Sequence, residues 1–299
     1  MKKLVFGSLN IDRTYRISHF VQAGETLSAE SLKIFCGGKG FNQAVALSRA
    51  GNEVYFAGAV GSDGKILMAA LQDEGIRSEH VIEMQGFTGH AVIQVNGEGQ
   101  NCIIVFPGTN GQIEKNMVDK VLADFSAGDL IVLQNEISNI DYIIHRAHEK
   151  GMIVAFNPSP FDKRAADCDF HCVDYLLVNE VEGGMISGES SCENILCAIR
   201  QRYPRLNILL TLGEDGSAYL DREGNQTNCG IYRVQAVDTT AAGDTYTGYF
   251  LSEILKDTPA QQAMRTAAVA SGISVSRHGA SPSIPKYDEV KQMMASVSV

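Results

Sequence analysis

Short apolar runs alternate with longer stretches of helical spacing along this chain of 299 residues. The apolar runs predict buried strands at residues 3–9, 54–59, 130–134, 153–157, 175–178 and 208–212. The helical stretches lie at residues 42–50, 140–150, 192–202 and 260–276. Strands that alternate with helices predict an α/β fold, in which helices flank a central, mostly parallel sheet.

Two segments depart from this alternation and predict a second, small β-sheet. Residues 14–34 and 90–106 have an extended pattern, and the second segment contains Asn96-Gly97 between two apolar runs, a strong hairpin signal. We expect a small antiparallel sheet that covers a site as a lid, with lid segments at about 13–35 and 88–107 inserted in a single domain of residues 1–299. The alternative is a hairpin without a functional role.

Composition and charge narrow the class of protein. With 44% hydrophobic residues the chain is globular, and its formal net charge of −10 argues against a nucleic-acid partner. The first apolar run is too short for a signal peptide, and no run approaches the roughly 18 apolar residues of a membrane span, so we expect a cytoplasmic protein without a membrane partner. The seven cysteines have no regular spacing and fit reduced thiols.

Zinc is suggested at one place, by Cys168, His171 and Cys172. A structural zinc site uses four ligands, and the sequence offers no second pair at a matching spacing. We therefore do not expect a metal ion there.

A stretch of small residues precedes the carboxylate of Asp244, in residues 238–245 with the sequence DTTAAGDT. Small residues let the backbone approach a phosphate closely, and the N–H groups and dipole at the start of the helix that follows favour negative charge. A carboxylate there would repel the phosphate unless it handles a proton on the attacking group, so we interpret Asp244 as a general base beside an anion site. An ordinary helix N-cap is the alternative.

Two further stretches carry polar groups at element ends. Asn10 and Asp12 follow the first predicted strand, where open α/β sheets bind ligands, and together they can hold vicinal hydroxyl groups; a polar turn is the alternative. Residues 36–44, with the sequence CGGKGFNQA, precede a helix that Asn42 can cap. This stretch is neither a P-loop nor a dinucleotide fingerprint, which argues against a dinucleotide oxidoreductase.

The glycine-rich stretch and the stretch around Asp244 together resemble the two signatures of the ribokinase branch of the PfkB carbohydrate kinases. Shorter matches lie at residues 7–12, 24–26, 157–158, 179–182, 211–213 and 277–283. The resemblance covers essentially the whole chain, and several separated motifs in the family's order are more specific than either signature alone. It implies the ribokinase-like α/β fold with a small β-sheet lid.

The resemblance also implies roles for individual residues. Asp244 would take the proton from the primary hydroxyl of a sugar, while N–H groups stabilise the transferring γ-phosphoryl. Those N–H groups belong to Ala241, Ala242, Gly243 and Asp244. Sugar-binding positions would be Asn10, Asp12, Gly38, Lys39, Asn42 and Glu136, beside Asp244.

For the cofactors ATP, Mg²⁺ and a monovalent cation, normally K⁺, the resemblance implies three further groups of residues. The nucleotide side would include Asn179, Thr211, Gly213, Gly216 and Gly243. Glu182 with Asn179 matches a motif associated with Mg²⁺, which retains water ligands in such sites. The cation loops would contain Asp238, Thr240, Arg277, Gly279 and Ser283.

Three positions depart from the family pattern. Phe41 and Tyr249 stand where the family has small residues, and Asn135 replaces a leucine. None removes a catalytic group, but each could reshape the sugar pocket, and Phe41 would lie beside the sugar.

The resemblance implies ATP-dependent phosphorylation of the primary hydroxyl of a small sugar, first of all D-ribose to ribose 5-phosphate. Kinases for deoxyribose, another pentose or hexose, or a nucleoside are alternatives, and a catalytically silent sugar sensor is the alternative from another class. Because exposed sheet surfaces tend to be covered, and because this family often pairs its lids, we expect a homodimer formed through the lid.

Overall fold

The computed structural model describes residues 1–296. Within them the strands are β1 (Lys3–Phe6), β2 (Asn10–Arg16), β3 (Ser31–Gly37), β4 (Val54–Val60), β5 (Arg77–Glu83), β6 (Gly89–Val95), β7 (Asn101–Phe106), β8 (Leu130–Gln134), β9 (Ile153–Asn157), β10 (Tyr175–Asn179), β11 (Asn207–Thr211), β12 (Ser217–Leu220) and β13 (Gln226–Cys229). The helices are α1 (Lys39–Arg49), α2 (Lys65–Asp73), α3 (Lys115–Leu122), α4 (Ile140–Glu149), α5 (Lys163–Ala166), α6 (Glu180–Ser187), α7 (Cys192–Arg202), α8 (Ala242–Ile254), α9 (Ala260–Val275) and α10 (Tyr287–Ser296). No helix in residues 1–296 has the length and apolar content to cross a bilayer.

A nine-stranded sheet forms the centre of the fold, in the order β13-β12-β11-β10-β9-β8-β1-β4-β5. The strands from β11 to β5 pair in parallel, and only the pairings of β12 with its two neighbours are antiparallel. Helices cover both faces. Val5 of β1 therefore packs into one core, while its neighbours Leu4 and Phe6 pack into the other. The predicted α/β fold is confirmed.

The first strand is shorter than predicted, because it ends at Phe6 and not at residue 9. The chain then turns toward α1, where the carbonyl of Ser8 accepts the N–H of Phe41 at 3.1 Å. A Cβ on Gly40 would lie only 2.5 Å from the N atom of Ser8, so this close approach requires glycine. The turn brings the glycine-rich stretch against the carboxyl end of β1.

The second sheet has four strands in the order β3-β2-β6-β7. Both hairpins, β2-β3 and β6-β7, are antiparallel, but β2 and β6 pair in parallel, so the prediction of an antiparallel sheet was wrong at the centre. The hairpins come from separate parts of the chain, so no tight turn forces their inner strands to run antiparallel. The predicted turn at Asn96 is confirmed by its N–H bond to the carbonyl of Gln100 at 3.1 Å.

The small sheet starts earlier than predicted, since β2 begins at Asn10. Asn10 and Asp12 are therefore residues of the small sheet rather than of the end of β1. Several apolar side chains of the sheet are exposed: Leu32, Ile34, Ile103, Ile104, Val105 and Phe106.

Candidate active site

The first turn of α8 forms the centre of the site. Its N-cap, Ala241, has a φ of 63°, a left-handed conformation that is unusual for a residue with a Cβ, and Asp244 in the first turn is 7% exposed. The N–H of Ala242 donates to the carbonyl of Thr239 at 3.2 Å. Within the described residues, the N–H groups of Ala241, Gly243 and Asp244 make no hydrogen bond. Three of the four predicted donors are thus free to bind an anion, and Ala242 is not.

Two amides fix the Asp244 carboxylate. Nδ2 of Asn42 donates to Oδ2 at 3.0 Å, and Nε2 of Gln43 donates to Oδ1 at 2.9 Å. Gln43 is itself held, because its Oε1 accepts a hydrogen bond from Nε2 of Gln134 at 2.7 Å and both side chains are fully buried. The orientation of Asp244 is therefore set by the start of α1 and the end of β8.

Gln43 lies in the glycine-rich motif, but the sequence alone indicated no role for it. Its position next to Asn42, near the start of a helix that follows a glycine-rich turn, was the available signal. A glutamine at the end of the apolar run of residues 130–134 was a second one.

Asn10 is held by a second asparagine. Its Oδ1 accepts from Nδ2 of Asn110 at 2.8 Å, and Oδ1 of Asn110 accepts the N–H of Leu9 at 3.1 Å. Asn110 gave no signal in the sequence, because it lies in a 3₁₀ turn far along the chain.

Asp12 is a partly exposed carboxylate without a hydrogen-bond partner in the part of the chain that the structure describes. Burial, with the charge of Glu136, raises the pKa of Asp12 to about 7. Its Oδ2 lies 2.0 Å from the place where a Cβ of residue 37 would stand, so Gly37 is needed to leave space for it.

Glu136 and Lys39 lie between the small sheet and Asp244. Oε2 of Glu136 accepts the N–H of Lys39 at 2.8 Å and the hydroxyl of Ser8, and burial raises the pKa of Glu136. Burial alone would lower the pKa of Lys39, but the neighbouring carboxylates Asp244, Glu136 and Glu182 raise it. Lys39 is therefore a cation among three carboxylates, suited to neutralise an incoming phosphoryl group.

Two cavities meet at the start of α8. The first, of about 230 Å³, is lined by residues that include Lys39, Asn179, Glu182 and Asp244. The second, of about 410 Å³, has a largely apolar lining. Both are lined by Thr211, Thr239, Ala242 and Gly243. A group that spans both cavities would pass the free N–H groups of α8.

The predicted nucleotide positions Thr211, Gly213 and Gly216 all line the second cavity. Gly216 has a φ of 93°, and a Cβ there would lie 2.2 Å from the carbonyl oxygen of Cys229, so glycine is required. Tyr232, Tyr246, Ala268 and Gly272 also line this cavity and were missed, since they lie far from any recognisable motif.

Asn179 and Glu182 form a capping box at the start of α6. Oδ1 of Asn179 accepts the N–H of Glu182 at 2.8 Å, and Oε2 of Glu182 accepts the N–H of Asn179 at 3.1 Å. The predicted motif thus has a structural role. The other oxygen of Glu182 makes no hydrogen bond to the described residues, and this side chain lines the first cavity.

Asp238 joins the two loops that were predicted to hold a monovalent cation. Its Oδ1 accepts the N–H of Thr240 and its Oδ2 accepts the N–H of Gly279, both at 2.9 Å. Burial opposes ionisation, but the hydrogen bonds from Thr240 and Gly279 outweigh it and lower the pKa of Asp238.

The side chains of Arg277 and Ser283 have other partners. The Arg277 guanidinium pairs with Glu289 at 2.5 Å, and the Ser283 hydroxyl donates to the carbonyl of Ala280 at 2.8 Å. A guanidinium has no lone pair for a metal ion, so Arg277 would contribute to a cation site through its carbonyl oxygen only.

The three departures from the family pattern have structural explanations. Phe41 is 1% exposed and belongs to the core, so the expectation that its ring lies beside the sugar was wrong. Tyr249 is buried and donates to the carbonyl of Pro285 at 2.7 Å. Asn135 donates to the carbonyl of Pro160 at 2.7 Å and to Asp162 at 2.8 Å. Among the described residues, the linings of the two cavities contain none of the three.

Comparison with known proteins shows the family of the chain. A family model described as pfkB family carbohydrate kinase matches residues 2–287. The chain is 32% identical to a ribokinase of Haemophilus influenzae over 300 residues, which cover 97% of each chain. It is 30% identical to a deoxyribokinase of Salmonella typhi over 301 residues, which cover 97% of this chain and 98% of that protein. A structure of Arabidopsis thaliana ribokinase complexed with ribose and ATP matches with a TM-score of 0.86 at 29% identity, covering 98% of each chain. This chain belongs to the pfkB family of carbohydrate kinases.

Proposed function

We propose that this protein transfers the γ-phosphoryl group of ATP to the primary hydroxyl of D-ribose and releases ribose 5-phosphate. The observation that carries the proposal is the Asp244 carboxylate, which two amides hold beside the free N–H groups where two cavities meet. The names of the relatives, ribokinases above all, support ribose as the acceptor.

In this proposal Asp244 accepts the proton of the attacking hydroxyl as the oxygen bonds to phosphorus and ADP leaves. The free N–H groups of Ala241 and Gly243 stabilise the charge on the phosphoryl oxygens, and the cationic Lys39 adds to this field. The adenine and ribose of ATP occupy the larger cavity, whose apolar lining suits a base.

Asn10 and Asp12 are proposed to bind the hydroxyl groups of the acceptor sugar. Oδ1 of Asn10 is already bonded to Asn110, which leaves its Nδ2 as a donor, while Asp12 offers two free acceptor oxygens. A sugar with vicinal hydroxyls would satisfy both. Deoxyribose is the second candidate, because the Salmonella typhi relative is a deoxyribokinase. The buried position of Phe41 removes the support for a base stacked on its ring.

Mg²⁺ and a monovalent cation are proposed cofactors. Glu182 presents one unbonded carboxylate oxygen to the first cavity, and an oxygen ligand of this kind fits Mg²⁺ bound with its own water. The ionised Asp238, which closes the loop of residues 238–240 onto Gly279, supplies negative charge for a K⁺ ion held by nearby carbonyl oxygens. Bound Mg²⁺ would neutralise negative charge on the phosphates of ATP.

The small sheet is proposed to act as a lid and as the interface of a homodimer. Its face exposes apolar side chains, of which Ile104 is 63% exposed, and such a surface is normally covered. A lysine in place of Ile104 should therefore convert a dimer into a monomer in analytical ultracentrifugation. The same substitution at Met185, an exposed residue of α6, is the control.

The seven free thiols fit the reducing cytoplasm as the place of action.

The test of function is ADP release from ATP with Mg²⁺ and K⁺ across ribose, deoxyribose, other pentoses, hexoses and nucleosides. Ribose should give the highest kcat/KM. A higher value for deoxyribose would replace the substrate but keep the reaction, whereas ribose binding without ADP release would indicate a sugar sensor.

A further inference from the structure

Three metal-ligating side chains lie together between α4 and the 3₁₀ turn Phe170–Cys172. Nδ1 of His145 is 3.5 Å from Sγ of Cys172, and Oδ2 of Asp169 is 3.7 Å from the same sulfur. The three donor atoms all lie within 4.8 Å of one another. Among the described residues, those that line the two cavities include none of the three, so this cluster is separate from the candidate active site.

The distances from the Cys172 sulfur to the other two donors fit a tetrahedral ion. Zn²⁺ binds thiolate sulfur at about 2.3 Å and imidazole nitrogen or carboxylate oxygen at about 2.1 Å, which places neighbouring ligands about 3.6 Å apart. The two distances to the Cys172 sulfur, 3.5 and 3.7 Å, lie on either side of that value. One sulfur, one nitrogen and one oxygen form a donor set for Zn²⁺ rather than for Mg²⁺, which prefers oxygen.

Neighbouring groups orient two of the donors. Oδ1 of Asp141, one turn earlier on α4, lies 3.5 Å from Nε2 of His145, so Nδ1 is the ring nitrogen that faces the sulfur. A carboxylate behind a histidine is a common arrangement in zinc sites. Oδ1 of Asp169 accepts the N–H of His171 at 2.9 Å, which leaves Oδ2 toward Cys172.

The cluster differs from the set that the sequence suggested. Sγ of Cys168 donates to the carbonyl of Arg164 at 3.3 Å, and the ring of His171 packs edge-on against Tyr203. Only Cys172 belongs to both sets. Its new partner His145 comes from α4, 27 positions earlier in the chain, which a search for short ligand spacings does not reach.

We propose that His145, Asp169 and Cys172 bind one Zn²⁺ ion, with water as the fourth ligand. Binding breaks the S–H bond, forms a Zn–S bond and gives the proton to the buffer. The ion would join α4 to the turn that leads into β10 and so stabilise this part of the fold.

The test is a titration of the full chain, freed of metal and without ATP or Mg²⁺, with Co²⁺ as a spectroscopic probe. We expect thiolate-to-cobalt charge-transfer absorption that saturates at one ion per chain and disappears when Zn²⁺ is added. Cys172→Ser should abolish the band. Cys168→Ser, a buried cysteine of the same segment, and Cys197→Ser, an exposed one, should retain it.

Two further variants keep the test decisive if Cys172→Ser fails to fold. His145→Gln and Asp169→Asn, both at partly exposed positions, should weaken Co²⁺ binding by about tenfold or more while the far-ultraviolet circular dichroism stays unchanged. Zn²⁺ should also raise the unfolding temperature of the unmodified protein more than that of either variant. A band that survives Cys172→Ser, an absent band, or equal Co²⁺ affinity in all variants would overturn the proposal.

Discussion

Two carboxylates in different regions of the site have opposite surroundings. Both oxygens of Asp244, at the edge of the large sheet, accept hydrogen bonds from buried amides at 3.0 and 2.9 Å. Asp12, in the small sheet, makes no hydrogen bond to the described residues, and burial with the charge of Glu136 raises its pKa to about 7. In the free protein both oxygens of Asp244 have hydrogen-bond partners, whereas Asp12 has none among the described residues.

The difference indicates how the work of the site is divided. The partners of Asp244 come from α1, whose start is packed against β1, and Gln43 is in turn held by β8, so the base is oriented before any ligand arrives. Asp12 lies in a strand of the sheet that we propose as a lid, and hydroxyl groups of the acceptor sugar would supply its partners. The preorganised carboxylate of Asp244 therefore serves the chemical step. The carboxylate of Asp12, whose hydrogen bonds the sugar would supply, serves binding.

Asp244→Asn tests the preorganised carboxylate and should have the largest effect. We expect the rate of phosphoryl transfer to fall by at least about 10²-fold, since the amide cannot accept the proton, while sugar binding stays nearly unchanged. Single-turnover kinetics and calorimetric titration with ribose measure the two quantities. An unchanged rate would remove Asp244 from its role as the base.

Asp12→Asn tests the carboxylate whose hydrogen bonds the sugar would supply. Loss of a charged acceptor should raise KM for the sugar by about 10- to 100-fold and change kcat much less. In the unmodified protein, affinity for the sugar should fall as the pH drops through about 7, where Asp12 takes up a proton, and the variant should lose this dependence. Isothermal titration at several pH values gives the result, and an equal pH dependence in both proteins would contradict it.

The contrast between the two regions also explains what the sequence could predict. The alternation of strands and helices and the signature around Asp244 were predictable from the sequence, because both depend on the spacing of residues that are near one another in the chain. The partners of the site side chains were not: Asn110 reaches Asn10 from 100 positions along the chain, and Gln134 reaches Gln43 from 91. The buried position of Phe41 was also missed, because motif comparison gives the residue's place in the chain but not the direction of its side chain.

Gln43→Leu should weaken the orientation of Asp244 without touching the sugar. We expect kcat to fall by about 10-fold, the effect of losing one hydrogen bond to a charged group, with KM for both substrates nearly constant. Gln134→Leu removes the contact that holds Gln43 but leaves the Gln43 bond to Asp244, so it should lower kcat by less. An unchanged kcat in Gln43→Leu, or a loss explained by less folded protein in thermal unfolding, would mean that Gln43 is structural only.

The smallest expected effect is on stability and follows from the sign of the Asp12 shift. Because the pKa of Asp12 is about 7 in the folded protein and near 3.8 ordinarily, the folded form binds more protons than the unfolded form between these values. The free energy of unfolding of the ligand-free protein should therefore fall as the pH rises across that window. The carboxylate is partly exposed, so solvent screening reduces the effect to about 1 kcal/mol, or about 2 °C in unfolding temperature.

Asp12→Asn should flatten this pH dependence of stability. Saturating ribose should reduce it in the unmodified protein, because a bound sugar supplies the hydrogen bonds that favour the ionised carboxylate. If thermal unfolding shows the same pH slope with and without ribose, the sugar does not bond to Asp12.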